Sequence, residues 1–192
     1  MSMAVSKIHL IRHGKQLLMN SAYTADMRMC RCQAMGAELL AFKNQNVYPS
    51  NADLYFTSGL LRTEETLDLL YGKVKRQIFP QLRELNFGGF EMKSHDDLVS
   101  DPDYQKWISD KTNLVRCPGG ESKNEFLERV IAGYKQIEKG SESKLIICHG
   151  GVIVSIMEFL FPARRNFYEW QPNPGRGYTI MYASDLPEYK LI

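Results

Sequence analysis

The sequence has few of the features that mark secreted, membrane-bound or metal-binding proteins. Only 4 of its 192 residues are cysteine, and none of them forms the C-x-x-C pair that is typical of zinc sites and redox motifs. No apolar run approaches the roughly 20 residues of a membrane span, and no apolar signal segment stands at the N-terminus. We therefore predict a cytoplasmic protein with reduced thiols, no bound metal and no membrane partner.

Neither sign of charge is in excess. The chain has 24 Lys and Arg residues against 22 Asp and Glu residues, for a net charge of +2. This balance, together with the absence of a long basic run, argues against a nucleic-acid partner. Any anion must therefore be bound by a few local arginines. With 44% hydrophobic residues, the chain is long enough to bury one core, and we predict a single domain over residues 1–192.

Short apolar, β-branched runs alternate with segments of helical periodicity, which is typical of a parallel sheet. The predicted strands are 8–11, 53–57, 77–79, 144–148 and, as the last one, 178–182. The predicted helices are 27–43, 61–71 (with Ser58 as N-cap), 96–98, 104–108, 125–139 and 152–160. We expect a three-layer, doubly wound, mostly parallel α/β sheet with helices on both faces. The irregular segment from about residue 88 to 120 is predicted to be lid-like.

Two histidines directly follow predicted strands. Arg12-His13-Gly14 ends the first strand, and His149-Gly150-Gly151 ends the strongest one. Ligands of open α/β sheets bind outside the carboxyl ends of the strands, so both histidines are expected at such a site. Gly14 and Gly150 would allow close approach of the backbone to a ligand.

A third strand end contributes a cation. Arg62 lies in the first turn of the helix that follows residues 53–57, where the helix dipole disfavours positive charge, so it indicates a bound anion. Two arginines and two histidines suit a phosphoryl group: Arg12, Arg62 and His149 would hold its oxygens. His13 would attack phosphorus as a neutral imidazole, since nearby arginines lower its pKa. Glu84 is the best candidate to protonate the leaving alkoxide.

Five motifs in chain order resemble the histidine phosphatase superfamily, also called phosphoglycerate mutase-like. They are 11–14 (IRHG), 57–66 (TSGLLRTEET), 82–91 (LRELNFGGFE), 118–122 (PGGES) and 148–153 (CHGGVI). The third is most similar to the phosphatase branch near alpha-ribazole phosphatase. The resemblance implies that His13 becomes phosphorylated, that Arg12, Arg62 and His149 bind the phosphate, and that Glu84 donates the proton. It also implies neither a metal nor an organic cofactor.

The sequence departs from the family pattern just after the first motif. Gln16 stands where the family usually has Thr, and either Met19 or Asn20 stands where it has Asn. We expect Gln16 and Asn20 to contribute to substrate binding. Further candidates for the rim of the site are His95, Trp107, Arg116, Trp170 and Arg176.

The branch of the family follows from the interval between Glu84 and His149. This interval is short, and a short lid leaves a phosphohistidine open to water, which favours a phosphatase. The open site also predicts a small phosphorylated substrate, with a phosphoprotein as the alternative. A phosphoglycerate-type mutase and a non-catalytic phospho-ligand binder remain as alternatives. The sequence does not determine the oligomeric state.

Overall fold

The computed structural model describes residues 6–14, 36–183 and 186–192 of the chain. In these residues the backbone forms a six-stranded sheet with the order β3-β2-β4-β1-β5-β6. The strands are β1 (Ser6–Arg12), β2 (Leu54–Thr57), β3 (Gln77–Ile78), β4 (Lys144–Cys148), β5 (Gly177–Tyr182) and β6 (Glu188–Leu191).

Five of these strands run in the same direction, and only β5 runs against them. β1 and β2 flank β4 in parallel register, and β3 pairs in parallel with β2. β5 is antiparallel to β1, and β6 is antiparallel to β5. All five residues of β4 are buried, as expected for a central strand that is covered on both faces. The carboxyl ends of β1, β2, β3 and β4 therefore meet at one edge, together with the amino end of β5.

Helices cover both faces of the sheet. α5 (Lys123–Ile137) and α6 (Gly150–Leu160) share a core cluster with Ile146 and Cys148 of β4. α1 (Gly36–Asn44) and α2 (Leu61–Tyr71) share a second cluster with Leu145 and Ile147. The two pairs of β4 side chains alternate along the strand and so point to opposite faces. This arrangement confirms the predicted three-layer, mostly parallel α/β fold.

Short helices fill the segment between β3 and α5. They are α3 (His95–Leu98) and α4 (Pro102–Ile108), preceded by 3-10 turns at Pro80–Leu82 and Gly88–Phe90. The side chains of Ser94 and Asp101 cap the two helices, which fixes where they begin. A third core cluster joins this segment through Phe90, Leu98, Tyr104 and Cys117.

Several predicted boundaries were wrong. Ser58 is not the N-cap of α2, because the helix begins directly after Leu60, which makes no side-chain cap. The strand at residues 178–182 is not the last one, since β6 follows it. The short helix α7 (Phe167–Trp170) was not predicted, although Asn166 forms its capping box with Glu169. The predicted helix over 27–43 lies outside the described residues up to residue 35.

Residues Gln16, Met19 and Asn20 also lie outside the described residues. Within the described ranges, no helix has both the length and the apolar character needed to cross a bilayer.

Candidate active site

His13 lies at the junction of the two central strands. It follows β1 directly, and its backbone N–H donates to the carbonyl oxygen of Cys148 at the end of β4 (3.0 Å). Its imidazole Nδ1 is 2.6 Å from the carbonyl oxygen of Gly14. A carbonyl oxygen only accepts hydrogen bonds, so Nδ1 carries the hydrogen and Nε2 keeps its lone pair. The neutral ring therefore presents Nε2 as a potential nucleophile.

His149 faces His13 across the site. The two ring centroids are 5.1 Å apart in an edge-on arrangement. The Nε–H of Arg62 donates to Nδ1 of His149 (3.2 Å), so in the neutral ring the hydrogen is on Nε2. That nitrogen lies 2.8 Å from the hydroxyl oxygen of Ser58, to which it donates. His149 is fully buried and Arg62 is only 3% exposed, so this chain of contacts is shielded from water.

Arg12 is attached to the turn that precedes β5. Its backbone N–H donates to the carbonyl oxygen of Arg176 (2.9 Å), and its own carbonyl oxygen accepts from the N–H of Gly175 (3.0 Å). Its Nη1 donates to the carbonyl oxygen of Pro172 (2.8 Å). Because β5 is antiparallel to β1, this turn lies at the same edge of the sheet as His13. The turn therefore orients the Arg12 guanidinium towards the site.

Glu84 contacts the first turn of α6. Its Oε2 accepts from the backbone N–H of Gly151 (3.1 Å), and its Oε1 accepts from that of Leu85 (3.1 Å). A Cβ on Gly151 would come within 2.5 Å of Oε1, so only glycine allows the carboxylate to lie there. The carboxylate is thereby held next to Gly151, which follows His149 by two residues in the chain.

The electrostatics of the site keep both histidines neutral. Burial, reinforced by the positive charge of Arg62, lowers the pKa of His13 from 6.5 to about 3. The same two causes, in the same order, hold the pKa of His149 well below 6.5. Arg12 lowers both pKa values further. An imidazole with an unprotonated nitrogen is thus available at neutral pH.

The structure brings together all five predicted core residues, and it adds two that the sequence did not indicate. Ser58 contacts His149 instead of capping a helix. Thr66 accepts from the N–H of Gly14 (3.1 Å) and donates to the carbonyl oxygen of Arg62 (2.7 Å). Both belong to the second family-like motif, at 57–66, and this was the only signal that could have singled them out.

The predicted rim residues mostly pack elsewhere. Trp170 is fully buried against Phe161, Tyr178 and Tyr189, so it is part of the core. The remaining four make the following contacts: Trp107 with the Phe87 and Phe90 rings, His95 with the Tyr104 hydroxyl, Arg116 with Glu125, and Arg176 with the Phe42 ring.

A separate cavity of about 690 Å³ lies in the segment between α4 and α5. It is lined by Asp103, Lys106 and residues 114–120, and none of the five core residues lines it. Among the described residues, no group of three or more His, Cys, Asp or Glu side chains is arranged to hold a metal ion.

Curated relatives of the chain are named as phosphatases and as mutases. The adenosylcobalamin/alpha-ribazole phosphatase of Escherichia coli K12 is 26% identical over 153 residues, which cover 77% of this chain and 75% of the relative. A protein of Erwinia tasmaniensis that bears the name "Probable phosphoglycerate mutase GpmB" is 28% identical over 158 residues, which cover 78% and 73% of the two chains.

Solved structures share the fold at low sequence identity. The alpha-ribazole phosphatase of Shigella flexneri is 22% identical, with a TM-score of 0.76 over 97% of this chain and 95% of that one. A phosphoglycerate mutase of Thermus thermophilus is 24% identical, with a TM-score of 0.65 over 97% and 96%. The family model of the histidine phosphatase superfamily, branch 1, matches residues 8–189. The chain is therefore a member of the histidine phosphatase superfamily.

Proposed function

We propose that this protein is a phosphatase that hydrolyses a small phosphomonoester through a phosphohistidine on His13. The observation that carries the proposal is the hydrogen bond between His13 Nδ1 and the carbonyl oxygen of Gly14. This bond leaves the Nε2 lone pair of a neutral ring available for attack on phosphorus, and the lowered pKa of His13 keeps that ring neutral at physiological pH.

The reaction has two displacements. In the first, Nε2 of His13 forms a bond to phosphorus while the bond from phosphorus to the ester oxygen breaks, and Glu84 gives that oxygen a proton. In the second, water attacks the phosphohistidine, Glu84 takes up a proton from it, and the bond between phosphorus and nitrogen breaks. The products are an alcohol and inorganic phosphate, and Glu84 returns to its starting state.

Arg12 and Arg62 would stabilise the negative charge on the phosphoryl oxygens in both steps. The role of His149 in phosphate binding is less direct than the sequence suggested, because both of its ring nitrogens are already hydrogen-bonded, to Arg62 and to Ser58. We infer that His149 chiefly orients Arg62, and that it donates to phosphate only when Nε2–H exchanges Ser58 for a phosphoryl oxygen.

The segment between Glu84 and α5 supports a phosphatase over a mutase. Its helices, α3 and α4, have only four and seven residues, which offers little to keep water from the phosphohistidine. The similarity to a relative named as a phosphoglycerate mutase keeps phosphoryl transfer between substrate positions as the second candidate.

The test is release of inorganic phosphate from a panel of phosphomonoesters in the presence of EDTA. We expect His13→Ala to lose activity roughly a thousandfold or more, and Arg62→Ala to lose roughly 10²–10³-fold. Arg164→Ala is the matched control, because it changes an exposed arginine beyond the carboxyl end of α6, whereas His149 precedes the amino end of that helix. This variant should keep wild-type activity.

Each other outcome has a definite meaning. Activity of His13→Ala comparable to wild type would contradict the phosphohistidine mechanism. Transfer of phosphate between positions of a substrate, with little free phosphate, would identify a mutase. Tight binding of phosphate esters without turnover would identify a phospho-ligand binder.

A further inference from the structure

Gln171 places its side-chain carboxamide beside the candidate active site. It is the exposed residue that ends α7, where its backbone N–H donates to the carbonyl oxygen of Phe167 (3.2 Å). Its side-chain amide makes no hydrogen bond to any other residue in the described ranges. An exposed glutamine is common, so its significance depends on what lies next to it.

The carboxamide lies beside the Arg12 guanidinium. A Cβ built on Gly150 would be 3.1 Å from Nε2 of Gln171 and 3.3 Å from both Nε and Cζ of Arg12. Both side chains therefore lie close to Gly150, the residue that follows His149. The carboxamide thus borders the place where the phosphoryl group is expected.

The backbone that follows Gln171 is hydrogen-bonded to Arg12. The next residue, Pro172, is buried and accepts the hydrogen bond from Nη1 of Arg12. Gly175 and Arg176 bond the backbone of Arg12 a few residues later. The position of Gln171 relative to the phosphate anchor is consequently set by the fold, even though the side chain itself is exposed.

Glu84 lies beside the neighbouring glycine. Its carboxylate contacts Gly151, while the carboxamide of Gln171 lies against Gly150. The ester oxygen that Glu84 is proposed to protonate carries the alcohol part of the substrate, so this part would lie close to Glu84 and the two glycines. Gln171 is an exposed, neutral polar side chain on the Arg12 side of these glycines.

We propose that Gln171 is a specificity-determining residue that hydrogen-bonds a hydroxyl group on the alcohol part of the substrate. A carboxamide both donates and accepts, as a hydroxyl does, and it carries no charge that would select an acid or an amine. The substrates preferred at this position are then polyhydroxylated phosphomonoesters. This inference rests on the proposed phosphatase function and deepens it.

The test compares two esters that differ only in hydroxyl groups, glycerol 1-phosphate and 1-propyl phosphate. In Gln171→Ala we expect kcat/KM for glycerol 1-phosphate to fall about 3- to 10-fold, mainly through KM, as for the loss of one neutral hydrogen bond. The value for 1-propyl phosphate should stay within about twofold of wild type. Gln171→Met, which keeps the length of the side chain but not its polar atoms, should behave in the same way.

The control is Gln136→Ala, which removes an exposed glutamine near the carboxyl end of α5 and should change neither ester. Equal losses on both esters, or no loss on either, in the Gln171 variants would overturn the assignment of Gln171 while leaving the proposed function intact. Failure of the wild-type protein to hydrolyse any ester would instead refute the proposed function, and the substrate assignment would be overturned with it.

Discussion

At the scale of single residues, the site depends on hydrogen bonds that orient side chains before any substrate binds. Ser58 accepts from Nε2–H of the fully buried His149, which in turn accepts from Arg62 on its other nitrogen. A buried imidazole that loses one of these partners is left with an unsatisfied nitrogen, at a cost of about 1–3 kcal/mol. The guanidinium of Arg62 is thus positioned indirectly by a serine hydroxyl.

Substitution of Ser58 tests this chain of contacts. We expect Ser58→Ala to lower kcat roughly 10- to 100-fold, because the ring of His149 and the guanidinium behind it lose their fixed orientation. The measurement is steady-state phosphate release together with urea unfolding. Ser122→Ala is the matched control: it removes the N-cap of α5 and should cost about 1 kcal/mol of stability without lowering kcat. If both variants have the same kcat, Ser58 is only structural.

At the scale of elements, helix α1 supports two loops of the site with one side chain. Leu39 is fully buried, and its methyl groups would lie 2.9 Å from a Cβ on Gly14 and 2.6 Å from one on Gly175. The loop after β1 and the turn before β5 therefore share one packing partner on the face covered by α1 and α2.

The conformation of Gly175 makes this contact specific to glycine. Its φ of +75° lies in the left-handed region, where a residue with a Cβ is strained. A Cβ at that position would also collide with Leu39, so backbone conformation and packing both require glycine. The turn before β5, and with it the carbonyl groups that hold Arg12, is fixed by this contact.

Truncation of Leu39 is therefore expected to affect both stability and catalysis. Leu39→Ala should lower the free energy of unfolding by about 2–5 kcal/mol through the cavity it leaves. It should also lower kcat of the folded enzyme roughly tenfold or more, since small displacements of reacting groups are costly. The free energy of unfolding and kcat are both measured at a temperature at which the variant is folded.

Leu70→Ala provides the comparison within the same core cluster. Leu70 lies in α2 and is also buried, so its truncation should cost a similar free energy of unfolding. Because Leu39, and not Leu70, packs closest to Gly14 and Gly175, the folded Leu70 variant should keep kcat within about twofold. A comparable loss of kcat in both variants would show that general destabilisation, and not support of the two loops, is responsible.

At the scale of the whole molecule, buried neutral histidines couple stability to pH. Burial and the charges of Lys190 and Lys7 lower the pKa of His9 to about 4, while its Nδ1 lies 2.8 Å from the hydroxyl of Thr179. The pKa values of His13 and His149 are lowered as well. In the unfolded chain all three titrate near about 6.5, so acid protonates the unfolded state before the folded one.

This asymmetry predicts how stability depends on pH. The histidine contribution should be fully present above about pH 6.5 and should be lost as the pH falls from there to the folded pKa of each ring, about 4 for His9 and about 3 for His13. The loss is up to about 1.4 kcal/mol per pH unit for each histidine. Urea unfolding at about pH 7.5, 6 and 5 measures the slope. In His9→Gln the free energy of unfolding should depend less steeply on pH, because about one proton fewer is taken up on unfolding. An unchanged dependence would contradict the lowered pKa of His9.

Much of the fold, and the proximity of the candidate site residues, was predictable from the sequence because both are encoded locally. The apolar run of β4 and the helical period of α2 fix those elements at the predicted bounds. His13, Arg62 and His149 follow parallel strands closely, so the strand ends alone predict that they meet. Glu84 needed only its position shortly after β3.

The tertiary structure alone decided which other residues surround this core. The antiparallel direction of β5 brings the turn before it to the carboxyl end of β1, and no local pattern encodes that pairing. The role of Ser58 and the burial of Trp170 likewise depend on partners far away in sequence, at His149 for Ser58 and at Tyr189 among others for Trp170. Residue types near strand ends thus determined which side chains can meet at the candidate site, whereas long-range packing decided the contacts that orient them.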